Sequence, residues 1–92
     1  MMSVENAIDE LDYLMIKVSR VHGNNHPELL KIKDCYLSIK DALSKNDKNK
    51  IIDEIKKASA LSNDFEIPSD ACEAYTRVYK AFKALEENYK CQ

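Results

Sequence analysis

The sequence predicts an all-α domain, a bundle of four helices in up-down-up-down order. Only one Gly and two Pro occur among the 92 residues, whereas sheets and loop-rich folds need many such residues at their turns. Apolar residues recur at intervals of three and four along four stretches, which is the period of a helix. The connections between them are about two to eight residues long, so sequential helices are expected to be antiparallel neighbours.

Length and composition predict one domain over residues 1–92. Hydrophobic residues make up 45% of the chain and charged residues 33%, which is a globular composition. A chain of this size supports a single hydrophobic core.

The first two helices have recognisable boundaries. Ser3 is a good N-cap with Glu5 in the first turn, and Gly23 is predicted to close helix one in the left-handed conformation. Pro27 suits the first position of helix two, because its missing N–H has no partner there. The apolar faces are Ile8, Leu11, Met15, Val18 and His22 in helix one, and Leu29, Ile32, Tyr36, Ile39 and Leu43 in helix two.

The third helix is short, and the connection after it is apolar. Asp47 is the better cap for it, and Ser62 to Asp64 end it. Phe65 and Ile67 then lie in the connection before Pro68, and both are predicted to fold back onto the core.

Helix four is the most regular, with Ser69 as its predicted cap. Its apolar positions alternate in spacings of four and three, the seam of a helix packed nearly parallel or antiparallel to its neighbours: Ala71, Tyr75, Val78, Phe82, Leu85 and Tyr89. The aromatic side chains of helix four have two interpretations. Either they are core residues whose hydroxyls reach water, or Tyr75, Tyr79, Phe82 and Tyr89 form the interface of a homodimer.

Charge and cysteine usage exclude several classes of partner. The net charge is −2, and the lysines between Lys45 and Lys57 alternate with acids, so a solvated helix face is expected rather than a nucleic-acid surface. No apolar run is long enough for a membrane span. Residues 1–6 lack the apolar segment of a signal peptide, and the cysteine count is odd, so free thiols and a cytoplasmic location are expected.

Two segments resemble the hemerythrin-like iron–sulfur cluster repair proteins. Residues 18–29 read VSRVHGNNHPEL and resemble the RVHG..HPEL joint between early helices of that family. Residues 68–72 read PSDAC and resemble the motif that opens its last helix, with Tyr75 and Tyr79 at its aromatic positions. The resemblance covers more than half of the chain and implies a hemerythrin-like bundle.

The same resemblance implies a di-iron centre, whose ligands this sequence lacks. The family holds iron with His and carboxylate side chains from all four helices, including His-x-x-x-Glu pairs one turn apart. The pair at the end of helix two falls where this chain reads Ser44-Lys45-Asn46-Asp47, and the His that opens helix three falls near Asn46. The last pair falls at about Gln92. We therefore expect no cofactor and a bundle that lost its iron.

A few residues are candidates for other chemistry. His22 and His26 are four apart and are weak metal candidates, but Gly23 and Pro27 place them around a turn. His22 is expected to cap the end of helix one or to pack beneath the turn. His26 is expected to cap helix two. Cys35 is expected to be a core thiol. Cys72 lies at the start of helix four, either as a small apolar residue or as a reactive thiol, and Cys91 is the thiol expected to be exposed and reactive.

These observations predict a non-enzymatic helical bundle that binds another protein or itself. No catalytic set can be named, so an enzyme is not expected. One alternative is a residual metal-binding or thiol-redox protein linked to iron–sulfur cluster repair or to nitrosative and oxidative stress. Another is an unrelated helical adaptor whose motifs match that family by coincidence.

Overall fold

The computed structural model describes residues 2–90, which form four helices and no strand. The helices are α1 (Val4–His22), α2 (Glu28–Ser44), α3 (Lys48–Leu61) and α4 (Glu73–Lys90). The all-helical prediction is confirmed. No helix within residues 2–90 is long and apolar enough to cross a bilayer.

The helices pack as two extensive pairs, α1 with α4 and α2 with α3, and smaller contacts of α1 with α2 and of α3 with α4 close the bundle. The apolar faces expected from the spacing fill a common core.

Polar groups join the helices at the edge of that core. Arg77 of α4 donates two hydrogen bonds to the Glu10 carboxylate of α1, one of 3.0 Å from Nε. Tyr36 of α2 donates its hydroxyl to the Ile8 carbonyl of α1 at 3.1 Å.

Two predicted helix caps are confirmed. The Ser3 hydroxyl oxygen accepts the Asn6 N–H at 3.1 Å, and the Asp47 carboxylate accepts the Lys50 N–H at 3.2 Å. Each bond satisfies a backbone donor that has no partner inside its helix.

The prediction that Gly23 adopts the left-handed conformation is wrong, although the structure still requires a glycine at this position. Gly23 has φ −60° and is right-handed, not left-handed. A Cβ at this position would run into the backbone carbonyl oxygen of Ser19, with the Leu30 side chain 3.6 Å away on another side. Close approach of the backbone, rather than a positive φ, therefore excludes larger residues.

The connection between α3 and α4 turns in the left-handed region over three residues, Asn63, Asp64 and Phe65, with φ of 55°, 60° and 58°. Such a conformation costs about 1–3 kcal/mol per residue without glycine. The Phe65 side chain is only 4% exposed and stacks on Phe82 with 5.1 Å between ring centroids. The Ser62 hydroxyl accepts the Phe65 N–H at 2.8 Å and holds the turn.

The two apolar residues of this connection behave differently. The prediction that Phe65 folds back onto the core is confirmed, whereas the same prediction for Ile67 is wrong, because Ile67 is 42% exposed. The Phe65 ring packs against the α4 rings of Tyr79 and Phe82.

Helix α4 begins later than its predicted cap. It starts at Glu73, and Cys72 rather than Ser69 stands at its N-terminus. The Cys72 sulfur accepts the Tyr75 N–H at 3.4 Å and the Cys72 carbonyl accepts the Thr76 N–H at 3.0 Å. Residues 68–72 form a separate turn in which the Ala71 N–H donates to the Pro68 carbonyl.

We predict that Gly23→Ala lowers the free energy of unfolding by about 1 kcal/mol or more, because the added methyl meets a backbone atom that cannot move aside cheaply. Denaturant unfolding measures the change. Asn24→Ala, an exposed change in the same turn, is the matched control and is expected to stay within about 0.5 kcal/mol of the native chain. A Gly23→Ala chain as stable as the control would contradict the close approach.

Candidate functional site

Two connections that are far apart in sequence meet at one end of the bundle. His22, at the end of α1, places its Nε2 atom 3.2 Å from the Cys72 sulfur. His26, in the turn before α2, places its Nε2 atom 3.0 Å from both carboxylate oxygens of Asp70. The two segments that carry the family resemblance therefore contact each other directly. We call these four side chains the end cluster.

Tyr75 lies between the two imidazoles. Its ring centroid is 5.1 Å from that of His22 and 5.4 Å from that of His26, both in edge-to-face geometry. The tyrosine is completely buried, and burial raises the pKa of its hydroxyl. That hydroxyl donates to the hydroxyl of Tyr79 at 3.5 Å inside the core. The end cluster is thus anchored to the interior of the bundle.

This arrangement corrects the interface prediction for the aromatic side chains of α4. Tyr75, Tyr79 and Phe82 are fully buried and form part of the core, so they offer no surface to a partner. The hydroxyls of Tyr75 and Tyr79 do not reach water either. Both side chains are buried, and the two hydroxyls bond to each other. Tyr89 is half-buried and packs at the edge of the core.

The electrostatics of the end cluster centre on His26. The Asp70 carboxylate raises the pKa of His26 above its ordinary 6.5, and the carboxylate of Glu28, 3.3 Å from Nδ1, adds to the effect. His26 in turn holds the pKa of Asp70 below its ordinary 3.8. The expectation that the His26 side chain caps helix two is wrong, because its ring bonds to carboxylates and no side chain caps α2.

The two cysteines within residues 2–90 lie in different environments. Cys35 is buried as expected, and burial raises the pKa of its thiol. Cys72 is exposed and lies beside His22, a neighbour 50 residues away that local reading of the sequence missed. The prediction for Cys91 lies outside the described residues.

The residues present do not fit the di-iron centre that the resemblance implies. The largest fully buried side chains are aromatic or aliphatic: Tyr75, Tyr79, Phe82, Leu11, Met15, Leu29, Ile32, Ile39, Leu85 and Val78. The buried Glu54 carboxylate is already neutralised by Lys57 at 3.1 Å and Lys50 at 3.6 Å. Over the described stretch 2–90, no three His, Cys, Asp or Glu side chains converge as a metal site would require.

A second feature lies on the outer surface of α1. Asp9, Tyr13, Ile16 and Arg20 are spaced 4, 3 and 4 residues apart and therefore share one helical face. All four are exposed, Tyr13 by 62% and Ile16 by 52%. We call this face the α1 stripe. It presents an apolar centre with an acid at one end and a base at the other.

No protein-family model matches this chain, and no solved structure matches it.

The His26–Asp70 ion pair is predicted to stabilise the fold only in a window of pH. The contribution of His26 is complete below its ordinary pKa of 6.5 and is lost as the pH rises through its raised pKa. The contribution of Asp70 is present above 3.8 and is lost as the pH falls through its lowered pKa. Asp70→Asn should therefore lower the Tm most between these limits and progressively less in alkaline buffer.

Thermal unfolding across the pH range tests this window. Asp53→Asn, which removes an exposed carboxylate of α3, is the control for the change in net charge. A Tm difference between native and Asp70→Asn chains that stays constant from acid to alkaline buffer would show that His26 and Asp70 do not form the pair.

Proposed function

We propose that this chain is a non-enzymatic, self-associating helical bundle, similar in fold to the hemerythrin-like iron–sulfur cluster repair proteins but without their iron. A second copy of the chain docks on the α1 stripe. The single observation that carries the proposal is the pattern of that stripe, in which two large apolar side chains are exposed between opposite charges.

The stripe is complementary to itself when it is turned by a two-fold rotation. The midpoint between Tyr13 and Ile16 lies as far along the helix from Asp9 as from Arg20, about 8 Å each way. A two-fold axis through that midpoint pairs α1 with an antiparallel copy of itself. Tyr13 then meets Ile16 of the second copy, and Asp9 meets its Arg20, in two equivalent places.

The chemistry of the stripe favours a second copy over an unrelated partner. Its spacing of 4, 3 and 4 is that of helices packed side by side, with an apolar seam and charges that set the orientation. Within residues 2–90, neither Asp9 nor Arg20 forms an ion pair with another side chain. Both charges are therefore available to a neighbouring molecule.

The proposal includes the up-down-up-down order of the helices. Two contacts between α1 and α4 support it. Asn88, near the end of α4, donates to the Met2 carbonyl just before α1, while Cys72, just before α4, lies beside His22 at the end of α1. These contacts are those of antiparallel helices. The same order is what the resemblance to the repair proteins implies.

The alternative of a residual metal-binding protein has less support. It would need His22 and His26 to share a metal, whereas each imidazole contacts a different side chain of the 68–72 segment. The thiol-redox form of the alternative has a specific observation in its favour, the contact of His22 with Cys72.

We predict that reversing either charge of the α1 stripe dissociates the dimer. Asp9→Arg alone places two bases opposite each other at both contacts, and Arg20→Asp alone places two acids there. The double variant Asp9→Arg/Arg20→Asp restores both ion pairs and should dimerise again. An equimolar mixture of the two single variants should form a heterodimer. Sedimentation equilibrium measures each association.

The matched control reverses charges away from the stripe. Asp53→Arg changes the net charge as Asp9→Arg does, but on the exposed face of α3, and should leave the dimer intact. Self-association that survives both single variants would place the interface elsewhere. A native chain that is monomeric at all concentrations would contradict the proposed function.

Metal analysis tests the loss of iron separately. Freshly purified native protein is expected to contain no stoichiometric iron, because the core positions hold aromatic and aliphatic side chains. One or two iron atoms per chain would overturn this part of the proposal. In that case, loss of the metal from a His22→Ala/His26→Ala chain would support the metal-binding alternative.

A further inference from the structure

The thiol of Cys72 is paired with an imidazole from a different helix. The Nε2 atom of His22 lies 3.2 Å from the sulfur, which is hydrogen-bond distance. According to its tautomer, the imidazole either accepts the S–H of the thiol or donates its own N–H to the sulfur. The Tyr75 N–H also points at the sulfur, at 3.4 Å. The sulfur therefore has two groups placed to stabilise its anionic form.

Both members of the pair are held in place by contacts that do not depend on each other. The His22 ring packs edge to face on the buried ring of Tyr75, and His22 is itself the last residue of α1. Cys72 is held as the residue before α4 by its carbonyl, which accepts the Thr76 N–H. A pair of this kind, with the nucleophile oriented against its base, is the geometric signature of an activated thiol.

Small molecules can reach the sulfur. Cys72 is exposed, and it lines a depression of about 80 Å³ between α1 and the start of α4. The other walls of the depression are formed by Val18, Val21, Ala74 and Lys17. An apolar recess of this size receives one small group beside the sulfur.

We propose that Cys72 is a thiol–disulfide exchange site that reacts with small disulfides, with His22 as its base. The proposal is independent of the dimer, because the α1 stripe contributes none of the reacting atoms. His22 takes the proton of the Cys72 thiol, and the thiolate attacks one sulfur of the disulfide. A new sulfur–sulfur bond forms to Cys72, the old one breaks, and the departing thiolate receives the proton from His22. No net oxidant or reductant is needed beyond the disulfide itself.

Cys35 provides an internal comparison. It is buried between α2 and α3, where desolvation raises the pKa of its thiol and the nearby Glu54 carboxylate opposes its ionisation further. In the folded chain, Cys35 is expected to react only when the bundle opens.

The test uses 5,5′-dithiobis(2-nitrobenzoic acid), a disulfide with carboxylate groups and a coloured leaving thiol. All chains carry Cys91→Ser, so that the reaction reports on Cys72 and Cys35. We expect a fast phase of one leaving thiol per chain, which Cys72→Ser abolishes. His22→Gln should slow this phase by about tenfold or more near neutral pH. The loss should shrink in alkaline buffer, where hydroxide can take up the thiol proton in place of the imidazole.

Asn24→Ala is the matched control. It changes an exposed side chain of the turn that follows His22, outside the end cluster, and should leave the fast phase unchanged. If His22→Gln loosened the fold, the thiols would be more exposed and their reaction with the disulfide would be faster. A slower reaction of this variant therefore cannot be caused by unfolding. A fast phase that survives Cys72→Ser would overturn the proposal. So would equal rates for the native and His22→Gln chains at every pH.

Discussion

The burial of one aromatic ring between two imidazoles organises one end of this bundle. Tyr75 belongs to α4, His22 ends α1, and His26 lies in the turn that precedes α2. The tyrosine is completely buried, and the rings of both histidines pack edge to face on it, which brings the turn between them against α4. Cys72 and Asp70 precede the tyrosine in the chain and therefore each meet one imidazole. The end cluster is a consequence of this packing.

The four helices and most of their ends could be predicted because they depend on local sequence. Spacings of three and four define a helical face, and the caps at Ser3 and Asp47 act within one turn. Cys72 satisfies a cap position too, but cysteine is not among the usual capping residues, so Ser69 was the natural expectation and was wrong. The conformation of Gly23 was missed for a related reason, since a close backbone approach leaves no trace in spacing or composition.

The pairs of the end cluster could not be predicted, because they join residues 44 and 50 positions apart. The pairing of side chains between the two connections depends on the rotation of α1 against α4. That rotation is set by the whole core, including the turn at Phe65, which no local preference would favour at φ 58°. One signal was available: the two motifs that resemble the repair proteins contain all four residues of the cluster.

The side chains of the same core differ from those that a di-iron centre needs. A di-iron centre needs inward-facing carboxylates and imidazoles, and these hold a bundle together through the metal. Here the interior is filled by rings that stack or meet edge to face, such as Phe65 on Phe82 and Tyr75 on Tyr79. The Glu54 carboxylate, although buried, is paired with two lysines at the edge of α3. Aromatic packing therefore fills the interior of the bundle over residues 2–90.

The α1 stripe and the depression beside the Cys72 thiol use different residues of α1. The depression is lined by Val18, which is buried, and by Val21, which is 72% exposed. The stripe lies on the side turned away from the core. Lys17 lies between the two, with its ammonium 4.4 Å from the centroid of the Tyr13 ring and its side chain at the edge of the depression. The stripe includes neither Cys72 nor His22, so self-association through it uses none of the reacting atoms proposed for thiol exchange.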